Sequence, residues 1–115
     1  MTKAWHEHDH ALRAGVEDIV KAWPGTTWRP MFGHPCFLVN HKLFAMIDGQ
    51  AVVLLHLPLR DAAELRREFG AAPFVTSEGP VGDWLRVPLD DRNRLWELAG
   101  YLRDAYEIAR TRADT

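Results

Sequence analysis

Apolar residues recur along the 115-residue chain with two different periods, and the switch from one to the other marks out the elements. Leu12, Val16, Ile19, Val20 and Trp23 stand three or four apart, the spacing that gathers side chains on one face of a helix. They predict a first helix from about Trp5 to Trp23, ended by Pro24-Gly25. "TTWRPMFGHP" comes next, and its two prolines forbid helix and hold the preceding residues extended. Three short apolar runs follow: "CFLV", "LFAMI" and "AVVLLHL", separated by Asn40-His41-Lys42 and Asp48-Gly49-Gln50. Asp-Gly between apolar runs is a hairpin signal, because glycine accepts the positive φ of a tight turn, so these runs predict an antiparallel meander.

Helical spacing returns in "DAAELRREF", where Asp61 and Glu64 have the spacing of a capping box and Gly70 closes the helix. "AAPFVTSEGPVGDWLRVPL" reads as a short strand, a Gly/Pro-rich loop and a second strand at "WLRV". Leu95, Leu98, Ala99, Leu102, Ala105, Tyr106 and Ala109 make the stripe of a last helix from about Asp91 to Arg110, with Asp90 or Asp91 at its N-cap. The order α-β-β-β-β-α-β-β-α predicts an α+β fold, a mostly antiparallel sheet covered by helices. It predicts one domain over residues 1–115, with an ordered core from about 5 to 110.

Composition narrows the function classes. With 47% apolar and 26% charged residues, the chain has the balance of a soluble globular protein, and no run approaches the length of a membrane span. The single cysteine, Cys36, precludes an internal disulfide and fits a reducing, cytoplasmic setting, as does an N-terminus without an apolar signal region. A net charge of −2 gives no overall electrostatic drive toward nucleic acid.

The sharpest chemical motif is the H-E-x-x-H at His6, Glu7 and His10. On a helix it would set two histidines one turn apart for zinc, with a glutamate as general base. On the first helix, however, His6 and His10 turn away from the apolar stripe, and no third ligand follows at a recognisable spacing. The expectation is therefore adventitious metal binding by His6 and His10, without a cofactor and without metallohydrolase chemistry. Cys36 is expected to pack as a small hydrophobe rather than serve as a nucleophile. The arginines of the second and third helices alternate with acids, which describes a solvated face with ion pairs. Trp5, Trp23 and Trp96 fit core or core-edge positions. Trp28 and Trp84 sit beside Pro- and Gly-rich segments, where partly exposed tryptophans would anchor a partner.

"MFGHPCFLVNHKLFAMI", from Met31 to Ile47, resembles the opening signature of the TfoX N-terminal domain family: Met-Phe-Gly, an apolar strand, a turn ending in Gly-Lys, then Phe-Ala. His41 stands here where glycine is usual, which puts the backbone of that turn in question. "APFVTSEGPVGDWLRVP" also resembles the family's Pro-Phe, loop and aromatic-led strand. Gly33-His34-Pro35 is similar in addition to the related MmcQ/YjbR group. The resemblance covers about residues 10 to 110. It implies a domain without a recognised active site: a competence-type regulator in the TfoX case, although the second domain of those regulators has no counterpart here, or a DNA-binding-like domain in the MmcQ/YjbR case.

Together these readings lead to a non-enzymatic cytoplasmic domain, regulatory or protein-binding, with an unknown protein partner. Its expected contact surface is an apolar patch at Trp28, Phe32, His34 and Trp84. A DNA-binding module is the alternative and a metal-dependent hydrolase a distant third. An exposed sheet edge or tryptophan patch would support a homodimer.

Overall fold

The computed structural model describes residues 9–112. It contains a six-stranded, wholly antiparallel sheet and three helices in the expected order. Helix α1 (His10–Val20) leads into β1 (Thr26–Met31), β2 (His34–Val39), β3 (Lys42–Asp48) and β4 (Ala51–Leu54). Helix α2 (Leu59–Phe69), strands β5 (Ala72–Thr76) and β6 (Gly79–Pro88), and helix α3 (Leu95–Thr111) complete it. The strands lie in the order β1-β2-β3-β4-β6-β5, so only β5 and β6 break the simple meander. None of the described helices is long and apolar enough to cross a membrane.

Period-2 alternation divides each strand between two apolar layers. Phe37, Val39, Ile47, Val52, Leu54, Leu85 and Val87 face one side and meet the helix stripes: Leu12, Val16 and Val20 from α1, Leu65 from α2, and Leu98, Leu102 and Tyr106 from α3. Tyr106 is buried in this layer between Trp23 and Phe44, and its hydroxyl donates to the Pro24 carbonyl at 2.6 Å, tying α3 to the turn after α1. The residues of opposite parity, Cys36, Leu38, Met46 and Val53, form a second layer on the other face with Leu55 and Phe74. No described helix residue belongs to that layer.

Helix starts differ from the expected ones for local reasons. Asp9 caps α1: its Oδ1 accepts from the amides of Ala11 and Leu12 at 2.9 and 3.0 Å, while its own backbone is extended and its amide donates to the Gly49 carbonyl. Of the H-E-x-x-H motif, His10 is the first residue of α1 and is exposed; His6, Glu7 and His8 lie outside the described residues. Helix α2 opens at Leu59 behind Pro58, so Asp61 sits inside the first turn and makes no capping bond. Before α3, Asp91 accepts from the Asn93 amide and caps a 3-10 turn at Arg92–Arg94. Trp96 also departs from the core-edge expectation, being 72% exposed on the outer side of α3.

Candidate binding cleft

Two tight turns and one bulge build a cleft on the face that the helices leave uncovered. The β1–β2 turn has only Phe32 and Gly33 between its strands, both at positive φ (58° and 80°), the arrangement whose twist matches paired strands. It leaves the Phe32 side chain standing 69% exposed. The β5–β6 turn is fixed by Thr76, whose Oγ1 accepts from the Glu78 amide and donates to the Gly79 carbonyl. Between the pairs Pro73–Leu85 and Val75–Pro80, β5 advances two residues while β6 advances five. The surplus forms a bulge around Gly82, which adopts positive φ (49°). The bulge brings Val81 and Trp84 against the second apolar layer, and Trp84 stacks on Phe74 with ring centroids 6.0 Å apart.

The cavity between these parts has a volume of about 650 Å³, within the ordinary range of binding clefts. Phe32, Phe74 and Trp84 give it aromatic walls, Val75, Thr76 and Ser77 form the rim, and Met46 lies at its base. Its polar floor comes from His34 on β2 and Asp48 on β3. The registers Met31–His34 and Cys36–Met46 put His34 and Asp48 in one row on one face of the sheet.

His34 is 8% exposed and packs edge-on to Phe74. Its Nδ1 lies 3.1 Å from the Ile47 carbonyl and 3.9 Å from Asp48 Oδ1; both neighbours are acceptors, so Nδ1 carries the proton and donates to Ile47. Arg86 on β6 reaches over β4 to Asp48, donating from Nε to Oδ2 at 2.8 Å and from Nη2 to the backbone carbonyl at 3.3 Å. Cys36, one alternation from His34, is fully buried and donates weakly to the Met31 and His34 carbonyls. Burial pushes its thiol up to about 11, so it is not a thiolate at neutral pH.

Of the four residues expected to share an apolar patch, Phe32, His34 and Trp84 come together around this cleft. Trp28 does not. It is on the helix-facing side, against Phe37 and beneath the Arg13 guanidinium at 4.8 Å. Register explains the separation: Trp28 pairs with Phe37, whereas His34 has the opposite parity on β2. Sequence reasoning missed Asp48, Phe74 and Arg86. Asp48 was visible only as the first residue of a turn, and nothing in a linear pattern joins it to Arg86. Among the described residues no group of three or more His, Cys, Asp or Glu side chains could hold a metal ion.

A second polar cluster lies on the helix side. Asp61 on α2 meets Asp104 on α3, and Tyr101 donates to Glu64 at 2.9 Å beside them. Asp61 is 9% exposed and its Oδ2 has no hydrogen-bond partner. Burial first, and the neighbouring Asp104 second, raise its carboxyl to about 6.

No curated protein and no solved structure matches the chain. The family model YjbR, the second of the two groups named from the sequence, matches residues 21–108, from the end of α1 to most of α3. That span includes every residue of the cleft and well over half of the sequence; the chain belongs to the YjbR family.

Proposed function

We propose that the chain is a non-catalytic binding domain that takes a segment of a protein partner in the cleft on the sheet face that no described helix packs against. One observation carries this reading. Among the described residues four large hydrophobic ones are strongly exposed, Phe32, Leu59, Val75 and Trp96, and two of them, Phe32 and Val75, flank the same cavity. A hydrophobic rim around a preformed cleft is the signature of an interaction site, whereas single scattered apolar residues are ordinary.

Phe32 adds a second argument. A bulky residue at positive φ in a two-residue turn costs about 1 kcal/mol or more relative to glycine or asparagine. Strain of this kind gathers where a side chain is needed for what it contacts. The non-catalytic part of the reading is supported by the engagement of the candidate reactive groups. Cys36 is a buried thiol, His34 Nδ1 donates a hydrogen bond to a backbone carbonyl, and Asp48 is paired with Arg86. Regulation by occupancy of the cleft is the role that such a domain would serve. A protein partner fits the lining better than DNA does, because the lining has no lysine or arginine to meet phosphates.

The test is a pull-down from lysate, with and without nuclease treatment, using the wild-type chain, Phe32→Asn, and Trp96→Ala as a control remote from the cleft. The tag must not be polyhistidine, because His6, His8 and His10 would themselves hold nickel. A partner kept by wild type and Trp96→Ala and lost from Phe32→Asn is the expected result. Retention by Phe32→Asn would remove the cleft as the working surface, and loss of all binding on nuclease treatment would turn the reading to nucleic acid.

A further inference from the structure

We infer that the group seated in the cleft is a lysine side chain of the partner protein, its aliphatic stem against Phe74 and Trp84 and its ammonium at Asp48; this rests on the binding function proposed above. The lining divides by chemistry. Three aromatic rings, those of Phe32, Phe74 and Trp84, surround a floor whose single charged lining residue is Asp48, held through one carboxylate oxygen by Arg86 from outside the lining. Aromatic faces attract cations through the ring quadrupole, and a carboxylate at the end of an aromatic cleft strengthens that preference.

Asp48 has an oxygen to offer. Its Oδ2 accepts from Arg86, but Oδ1 faces His34 Nδ1 across 3.9 Å, too far for a hydrogen bond. A compact ammonium with three donors suits one remaining carboxylate oxygen. A guanidinium fork needs two oxygens, and Arg86 already holds the other, so lysine fits better than arginine. An anionic group would meet Asp48 at the floor and Glu78 on the exposed β5–β6 hairpin, while the nearby cation, Arg86, is already held by Asp48. A purely apolar side chain would desolvate Asp48 without replacing its water. A protein is favoured over a free amine because Phe32 and Val75, 69% and 58% exposed, extend the apolar surface beyond the cavity.

The experiment titrates the 15N-labelled full chain with three probes and follows backbone amides by 1H–15N correlation NMR. The probes are Nα-acetyl-lysine methylamide, the norleucine analogue lacking the ammonium, and pentylammonium. The lysine derivative is expected to shift the Asp48, Phe74 and Trp84 amides and to saturate at about tenfold lower concentration than the norleucine analogue. Asp48→Asn should bring the two within about twofold; should that variant misfold, the probe series on the unmodified chain decides alone. Equal or tighter binding of norleucine overturns the lysine assignment and leaves the cleft as a purely apolar binding site. Pentylammonium binding about tenfold tighter than the lysine derivative overturns it in favour of a free amine. Shifts from none of the three also overturn it, and the cleft then stands or falls on the Phe32→Asn pull-down.

Discussion

Asp61 shows how far one residue's role can depart from its local sequence. Its spacing to Glu64 has the form of a capping box, yet the helix begins two residues earlier, behind Pro58. The carboxyl is carried instead to the α2–α3 contact, where it faces Asp104 with Glu64 nearby and only Arg60 opposing them. Folding raises it from 3.8 to about 6, so between those values the folded chain keeps a proton that the unfolded chain has released. The contribution of Asp61 to stability must then fall as pH rises from about 4 to 6 and stay level above, by on the order of 1–3 kcal/mol. Asp61→Asn keeps the shape, removes the charge and can donate to Asp104. It should stabilise the fold by about 1–2 kcal/mol at pH 7.5 and flatten this fall. Urea denaturation at pH 4.5, 6.0 and 7.5 checks both statements; a variant less stable than wild type at pH 7.5 contradicts the account.

At the scale of elements, the parts read correctly from the sequence are those whose signals are local. The α1 and α3 stripes, the β2–β3–β4 meander and the helix stop at Gly70 each rest on residues within one turn or one hairpin. Turn chemistry was legible in the same way. His41 replaces the usual glycine, and the backbone nevertheless adopts the left-handed pair, Asn40 at φ 51° and His41 at φ 69°. Strand pairing on both sides therefore overrides the preference of the histidine. The strain this leaves is testable. His41→Gly gains about 1 kcal/mol by relieving positive φ and loses somewhat less to greater freedom of the unfolded chain, for a net stabilisation of about 0.5 kcal/mol. Phe32→Asn should gain about 0.5–1 kcal/mol, since asparagine tolerates the left-handed region and Phe32 buries little. Thermal unfolding of the two variants should show raised midpoints, the Phe32 change alone weakening partner binding. The cleft itself was not legible as a site. It needs the β6 bulge to bring Trp84 onto Phe74, and it needs Arg86 to reach over β4 to Asp48; both are properties of long-range register that no short window contains.

The whole molecule is lopsided: three helices seal one face of the sheet, while on the other the described chain supplies only the β5–β6 hairpin and the turns at its ends. Such a sheet has two further sites for unwanted contact, its edge strands β1 and β5. Each carries a proline, Pro30 in β1 and Pro73 in β5, and β1 adds the exposed Arg29. A proline removes a ladder donor, and an exposed charge disfavours stacking of a second chain, so both edges resist extension of the sheet. In the function proposed above, a partner is therefore taken on the cleft face and not by backbone pairing at an edge. Pro73→Val restores a donor beside the exposed Val75 and lengthens the β-prone run. Sedimentation velocity should accordingly find greater self-association in Pro73→Val than in wild type at equal concentration. In Phe32→Asn, self-association should not rise, because the edges are untouched. If wild type and Pro73→Val associate to the same extent and Phe32→Asn less, the contact between copies runs through the cleft rim, and the edges are not what governs assembly.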